Sequence, residues 1–335
     1  MKTSECIPFL EFMFEHRMAV LITGKPGIGK TDVVIQATRN LKYKLIIKHP
    51  VVDDPTDYKG MPWVIDGKAV FLPFGDLYDL IYANEPLVVL FDDLGQASPA
   101  VQAAVMQLLL ARSLNGHKIS DFVTFVACTN RRQDNAAVSG ILAPVKSRFK
   151  AIVELEYNAE AWINWAITHN MPTSLVSFIQ FRPNILADAV DSKEIVNVAG
   201  PRTAESVGLL MNNGITNFSD AIKYEAIKGA AGQAFAIEFT AFLKYIENLP
   251  AISLIFSDPV NTKLPTDIGS QYALVGAIAD KLTATNLKNA IIYLERMAPE
   301  LGFACLTIAR LKNPAILSNM EFINYMIKHQ NLAAA

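Results

Sequence analysis

Residues 18–40, MAVLITGKPGIGKTDVVIQATRN, decide the fold. MAVLIT (18–23) has the length and apolar character of a buried strand, and TDVVIQATRN continues as a helix. Between them, Gly24-Lys25-Pro26-Gly27-Ile28-Gly29-Lys30-Thr31 fits the pattern G-x-x-x-x-G-K-[ST] position for position. Glycines at these places let backbone N–H groups curl around a phosphate, and the helix after the loop presents its positive end. In such a loop Lys30 neutralises the β- and γ-phosphates and Thr31 ligates Mg²⁺. A glycine-rich strand-to-helix turn without a ligand is the plain alternative. The strand–loop–helix setting favours a nucleotide, with ATP and Mg²⁺ as the expected ligands.

The second half of such a site lies downstream, in LVVLF-Asp92-Asp93 (87–93). Asp92, at the tip of a strand beside the phosphate loop, is placed to hold Mg²⁺ through water. The following position is the one that orients the attacking water. Glu is expected there, and Asp93 has the right charge but is one methylene shorter. The next helix, SPAVQAAVMQLLLARS, starts with Ser98 as N-cap and Pro99 at the first helical position. Asn130 ends the following strand, FVTFVACTN (122–130), where a polar side chain can bond a phosphate or the water; ordinary turn chemistry is the alternative. Arg148, in PVKSRF, follows a loop and precedes the last strand. It can cross a subunit boundary toward a neighbour's γ-phosphate, or sit in a local salt bridge. Arg202, in GPRTAES, opens a helix after a Gly-Pro break and can reach back to phosphates or remain a first-turn surface residue.

Alternating strands and helices to about residue 156 predict an α/β fold: a doubly wound, mainly parallel P-loop sheet with helices on both faces. KLIIKHPVV (44–52) is the second strand and AIVELE (151–156) the last. GMPWVIDGKAVFLP (60–73) predicts a hairpin turning at Asp66-Gly67, and LNGHKI (114–119) a second, smaller one. Beyond 156 the chain is almost entirely helical. The expected division is a nucleotide-binding core at 1–156, a helical lid at 157–248 and an accessory helical region at 249–335. The Pro- and Asp-punctuated stretch 249–267 is the expected joint between the last two.

Composition bounds the rest. The chain has 335 residues, 51% of them hydrophobic, and a formal net charge of −2. That charge gives no global pull toward nucleic acid. The basic spots KYKLIIKH (42–49) and NRR (130–132) are short, and a solvated edge or site chemistry accounts for them. No apolar run approaches the roughly 20 residues that span a bilayer. The N-terminal segment lacks the features of a secretory signal. Cys6, Cys128 and Cys305 are odd in number and far apart, which argues against a disulfide framework or a zinc site. A cytoplasmic setting is the expectation.

Taken together, the loop 24–31, DDLGQASPAVQAAVMQLLL, CTN (128–130), SRF (147–149) and GPRTAES (200–206) resemble the AAA+ ATPases, and within them the MoxR-like group. The D-x-x-G loop (Asp57, Gly60) and the two hairpins match that group's habits. The resemblance covers about residues 1–230. It implies that Lys30 and Thr31 serve phosphate and Mg²⁺, Asp92 and Asp93 form the acidic pair, Asn130 is sensor 1, Arg148 the arginine finger and Arg202 sensor 2. It further implies rings, usually hexamers, with nucleotide between subunits, and hairpins facing a pore or a partner. Trp63 is then a contact candidate, with hairpin packing as the alternative. Relatives of this kind remodel or activate a partner protein, often beside a protein with a von Willebrand factor A domain. A nucleic-acid motor or loader is the competing reading. A third is an assembly module that binds ATP but barely hydrolyses it because of Asp93.

Overall fold

The apolar runs become the centre of a parallel sheet. The computed structural model describes residues 1–131, 134, 140–187 and 194–333, which fall into two compact units, Met1–Asn158 and Ala159–Ala335. The first begins with α1 (Thr3–Glu15), β1 (Val20–Gly24), α2 (Lys30–Leu41) and β2 (Lys44–Lys48). A hairpin of β3 (Met61–Ile65) and β4 (Lys68–Leu72) follows, then α3 (Asp76–Tyr82), β5 (Leu87–Phe91) and α4 (Pro99–Ala111). A smaller hairpin, β6 (Ser113–Leu114) and β7 (His117–Lys118), leads to β8 (Val123–Asn130), α5 (Ala143–Lys146) and β9 (Ala151–Glu154).

Five strands pair in the order β2-β5-β8-β1-β9, all parallel. Parallel strands need crossovers, and helices supply them here, which covers both faces and buries β5 and β8 along their whole length. The side-chain period of two then sorts one strand between two cores. Leu87, Val89 and Phe91 of β5 face a cluster with Leu77, Leu80, Val105 and Leu108. Val88 and Leu90 face the opposite cluster, with Leu10, Phe14, Val33 and Val34. The expected doubly wound P-loop sheet is therefore present, and it sets β1, β5 and β8 side by side with their C-terminal ends together.

Both hairpins form where the sequence predicts them, at 60–73 and 114–119. Asp66 and Gly67 carry positive φ of 49° and 73°, and Asn115 and Gly116 carry 45° and 91°. Every residue of β3 is exposed, Trp63 to 56%. Gly60, at φ 90°, closes the base of the first hairpin so tightly that an added Cβ would lie 2.7 Å from the Leu72 carbonyl oxygen. The hairpins also touch: the Asn115 amide donates to the Lys59 carbonyl at 2.5 Å.

The second unit is helical among its described residues: α6 (Ala159–Thr168), α7 (Thr173–Phe181), α8 (Pro201–Asn212), α9 (Asp220–Ala231), α10 (Gln233–Glu247), α11 (Ile252–Ser257), α12 (Ile268–Lys281), α13 (Leu287–Leu294), α14 (Pro299–Lys312) and α15 (Met320–Lys328). Phe178 is the hub of its core, with the Phe235, Phe239 and Phe242 rings 5.0–5.5 Å away. α12 packs on both α7 and α10, so helices from either side of residue 249 share one core. The stretch 249–267 contains α11, and side chains of α13 and the turn after it hold it. Asn289 donates to the Phe256 carbonyl at 2.6 Å, Tyr293 to Lys263 at 2.9 Å and Arg296 to Thr262 at 2.9 Å. Among the described residues, no helix is long and apolar enough to cross a membrane.

Candidate nucleotide site

The phosphate-loop motif lies on the turn between β1 and α2. Gly27 and Gly29 hold φ of 69° and 97°, values that glycine adopts without the Cβ penalty other residues pay. Gly24 meets the last strand closely: a Cβ there would lie 2.9 Å from the Leu155 carbonyl oxygen. Gly29 is also the N-cap of α2 and has no side chain to cap its first turn. The amides of that turn are the donors a phosphate takes up in such folds.

Lys30 is 6% exposed. Its ammonium donates to the carbonyls of Gly24 at 3.2 Å and Lys25 at 2.9 Å, and to Asn130 Oδ1 at 2.6 Å. The buried charge is thus held by oxygen partners, as burial demands. Thr31 Oγ1 donates to Asp92 Oδ2 at 2.8 Å, and Asp92 Oδ1 accepts from the Asp93 amide at 3.1 Å. Asn130, 8% exposed at the end of β8, donates through Nδ2 to Asp93 Oδ1 at 3.3 Å. One amide therefore bridges the lysine and the second aspartate. Five of the residues singled out in the sequence (Lys30, Thr31, Asp92, Asp93 and Asn130) meet at the C-terminal ends of β1, β5 and β8.

The backbone at Asp93 explains the residue found there. It sits at φ 52°, ψ 34°, in the left-handed region, and opens a tight turn in which the Gln96 amide donates to its carbonyl at 2.9 Å. Asp and Asn enter that region several-fold more often than most side chains, whereas a longer, unfavoured side chain strains it. Asp93→Glu is expected to lower stability by about 0.5–1 kcal/mol, read by urea unfolding. An unchanged midpoint would overturn this account of why aspartate stands here.

Neither arginine is among the groups that this cluster joins. Arg148 follows α5, is half-buried, and its Nε is buried without a hydrogen-bond partner. Arg202 is exposed in the first turn of α8, in the second unit. In the basic spot NRR, Arg132 lies outside the described residues. Arg131 is engaged: its guanidinium donates to Asp134 at 2.7 and 2.9 Å and to Glu154 of β9 at 2.6 Å. The hydrogen bond from Arg131 holds the Asp134 carboxyl below the usual carboxylate range, despite opposing burial. Composition suggested only a basic spot there. The clamp that joins β8 to β9 needs both strands in place, so spacing along the chain carries no sign of it. Cys128, wholly buried in β8, has its thiol pushed well up by burial first and then by the nearby Asp92 charge. That makes it a packing group, not a nucleophile.

Together these features define a P-loop fold. No family model and no curated protein matches the chain. Among solved structures, it is similar to the RuvB Holliday junction branch migration motor of Thermotoga maritima at 15% identity and a TM-score of 0.36, covering 98% of this chain and 86% of that one. A point mutant of the same RuvB gives 14% and 0.38, with 98% and 86% covered. NtrX from Brucella abortus, in complex with ADP, gives 12% and 0.37, with 99% of this chain and 67% of that one covered. Likenesses at this level carry no argument about function, and the functional reading rests on the side chains at the ends of β1, β5 and β8.

Proposed function

We propose that this protein is a Mg²⁺-dependent ATPase of the AAA+ type, akin to the MoxR-like group, that assembles as a ring and remodels or activates a partner protein. The observation that carries the reading is the joined pair of contacts Lys30–Asn130–Asp93 and Thr31–Asp92 around a phosphate loop. Thr31 and Asp92 present two hard oxygen donors 2.8 Å apart, a set that suits Mg²⁺, which takes one or two protein oxygens and completes its shell with phosphate and water. When bound, Mg²⁺ supplies charge neutralisation at the phosphate oxygens.

The chain's own groups account for the remaining steps. Lys30 exchanges its bonds to the loop carbonyls and Asn130 Oδ1 for phosphate oxygens. Asn130, released from the ammonium, keeps its Nδ2 bond to Asp93 and turns Oδ1 toward the water. Asp93 accepts a proton from the water as the water oxygen bonds to the γ-phosphorus and the bond to the β-phosphate oxygen breaks; Asp93 then passes that proton to the phosphate formed, and ADP and phosphate leave. Arg148, with a buried unpaired Nε, is the candidate to reach the γ-phosphate of a neighbouring subunit. Arg202 is the candidate sensor on the second unit. The exposed hairpins, with Trp63 prominent, are the candidate partner contacts, and their near-neutral composition favours a protein over a nucleic-acid backbone. A partner with a von Willebrand factor A domain is the specific expectation.

ATP turnover and oligomer mass, measured with and without DNA, test this reading. The expected result is ATP-dependent assembly with turnover that DNA leaves unchanged. Stimulation by DNA that disappears with rising salt would move the assignment to a nucleic-acid motor. Arg148→Ala is expected to lower turnover by about 10³-fold, as loss of an arginine finger does. Mixing it with Lys30→Ala subunits should restore activity at shared interfaces. Without that rescue, Arg148 does not act between subunits.

A further inference from the structure

The first unit holds a second set of charged and hydroxyl groups that nucleotide chemistry does not use. Lys48 ends β2, beside the strand that carries the acidic pair. Its backbone carbonyl accepts from the Asp92 amide at 2.9 Å. Its ammonium lies 2.9 Å from Asp76, the first residue of α3, and 3.7 Å from Asp53. Asp53 accepts the Tyr58 hydroxyl at 2.5 Å. The Tyr58 ring in turn lies 6.1 Å from the ring of Phe91, the residue before Asp92. The contacts close a circuit, Asp92–Lys48–Asp53–Tyr58–Phe91, that leaves the tip of β5 at one residue and returns at its neighbour.

The circuit is built into the interior. The side chains of Lys48 and Asp53 are 18% and 15% exposed, and Tyr58 is 2% exposed. Exposed ion pairs contribute little, but partly buried ones fix geometry because a charge that loses its partner is left unsolvated. Burial opposes the Lys48 charge, yet the hydrogen bond to Asp76 and the charges of Asp53, Asp76 and Asp57 outweigh it and raise the ammonium above its ordinary value. Burial first, then Asp53, pushes the Tyr58 phenol far up, so it stays a donor.

The same circuit is the foot of the first hairpin. Tyr58 ends the tight turn Pro55–Tyr58, which Asp54 and Asp57 cap reciprocally. Gly60 then packs on the Leu72 carbonyl oxygen, and Met61 begins β3. Only Lys59 and Gly60 separate the buried tyrosine from the exposed ribbon, so little slack lies between them.

We propose that Lys48 and Tyr58 are positioning residues that couple the first hairpin to Asp92 and Asp93, so that a partner bound at the hairpin alters the placement of the acidic pair. The inference rests on the ATPase reading and names the residues that link partner contact to that site. Displacement of the hairpin foot moves Tyr58 against Phe91 and shifts the Lys48 carbonyl that holds the Asp92 amide. Both attachments of the acidic strand's tip are then carried together.

The test compares kcat, KM, nucleotide affinity and thermal melting for the full-length wild type, Lys48→Met, Lys48→Arg, Tyr58→Phe and a chain in which residues 62–71 are replaced by Asn-Gly. Met61 and Leu72 are directly paired across the ribbon, so a two-residue turn can close that gap. Lys48→Met and Tyr58→Phe are expected to lower kcat about tenfold, the scale of coupling changes through a shared network. KM and nucleotide affinity should stay within about twofold, because the phosphate contacts are untouched. Lys48→Arg should restore most of the lost turnover. The shortened hairpin should also change kcat, and combining it with Lys48→Met should add nothing further. Tyr58→Phe removes one oxygen and keeps the ring on Phe91, so it decides the matter if Lys48→Met does not fold. The proposal is overturned if folded Tyr58→Phe keeps wild-type kcat, if KM moves in place of kcat, or if the two effects multiply in the double variant. A wild type without ATP turnover would overturn the ATPase reading and this inference with it, whereas a wild type with turnover isolates the outcome to the coupling.

Discussion

Asp93→Asn is expected to bind nucleotide and assemble like the wild type while kcat falls by about 10²–10⁴-fold, the usual range for loss of a general base. The substitution is close to isosteric. An asparagine side chain can still accept from Asn130 Nδ2 through its own oxygen, so the 3.3 Å contact survives. Asparagine also tolerates the left-handed backbone at φ 52°. What is lost is the charge and basicity needed to take a proton from water. Turnover under saturating ATP, beside a direct binding measurement, separates the two. Wild-type kcat in Asp93→Asn would remove Asp93 from the chemistry. A reduction confined to KM would assign it to binding alone.

Lys30→Ala is expected to weaken nucleotide binding by about 10²-fold or more, since hydrogen bonds from a charged donor are worth about 1.5–3 kcal/mol each and Lys30 is placed to make more than one to phosphate. The effect is not only the lost attraction. Without the ammonium, the Gly24 and Lys25 carbonyls and Asn130 Oδ1 lose the donor that now joins them at 2.6–3.2 Å, and the loop loses its internal tie. The measurement is nucleotide affinity by titration at fixed Mg²⁺ and salt. Affinity within about threefold of the wild type would be incompatible with Lys30 as the phosphate cation.

Much of the core was legible along the chain because its signals are local. The phosphate loop is eight consecutive residues, and two of its three glycines, Gly27 and Gly29, occupy positive-φ positions. LVVLF and FVTFVACTN stand out as unbroken apolar runs because parallel strands are buried on both faces. The first hairpin is legible in Asp66-Gly67, a dipeptide suited to a tight turn, and the second in the stretch LNGHKI (114–119). The circuit through Lys48, Asp53, Tyr58 and Asp76 is not. Along the chain, KYKLIIKH is a short basic spot, with a solvated edge or site chemistry to account for it, and Asp57 and Gly60 mark only a D-x-x-G loop. Only the packing of the hairpin foot under α3 and against β5 turns those charges inward. The Arg131 clamp was hidden for the same reason, since Glu154 comes from a different strand.

Asp93 shows where the two kinds of information divide. By sequence alone, the chain determined a strand–loop–helix phosphate motif, an acidic pair at the end of a second strand and the parallel sheet that joins them, since periodicity and glycine placement act over a few residues. Why the second acid is aspartate was decided only by the tertiary structure. The side chain occupies a left-handed backbone position, and an amide from β8 holds it. The contacts that make the site, Lys30 to Asn130, Thr31 to Asp92 and Asn130 to Asp93, span 37 to 100 positions along the chain. Hydrogen bonds over such separations exist only once the strands pair in register, so no local pattern can encode them.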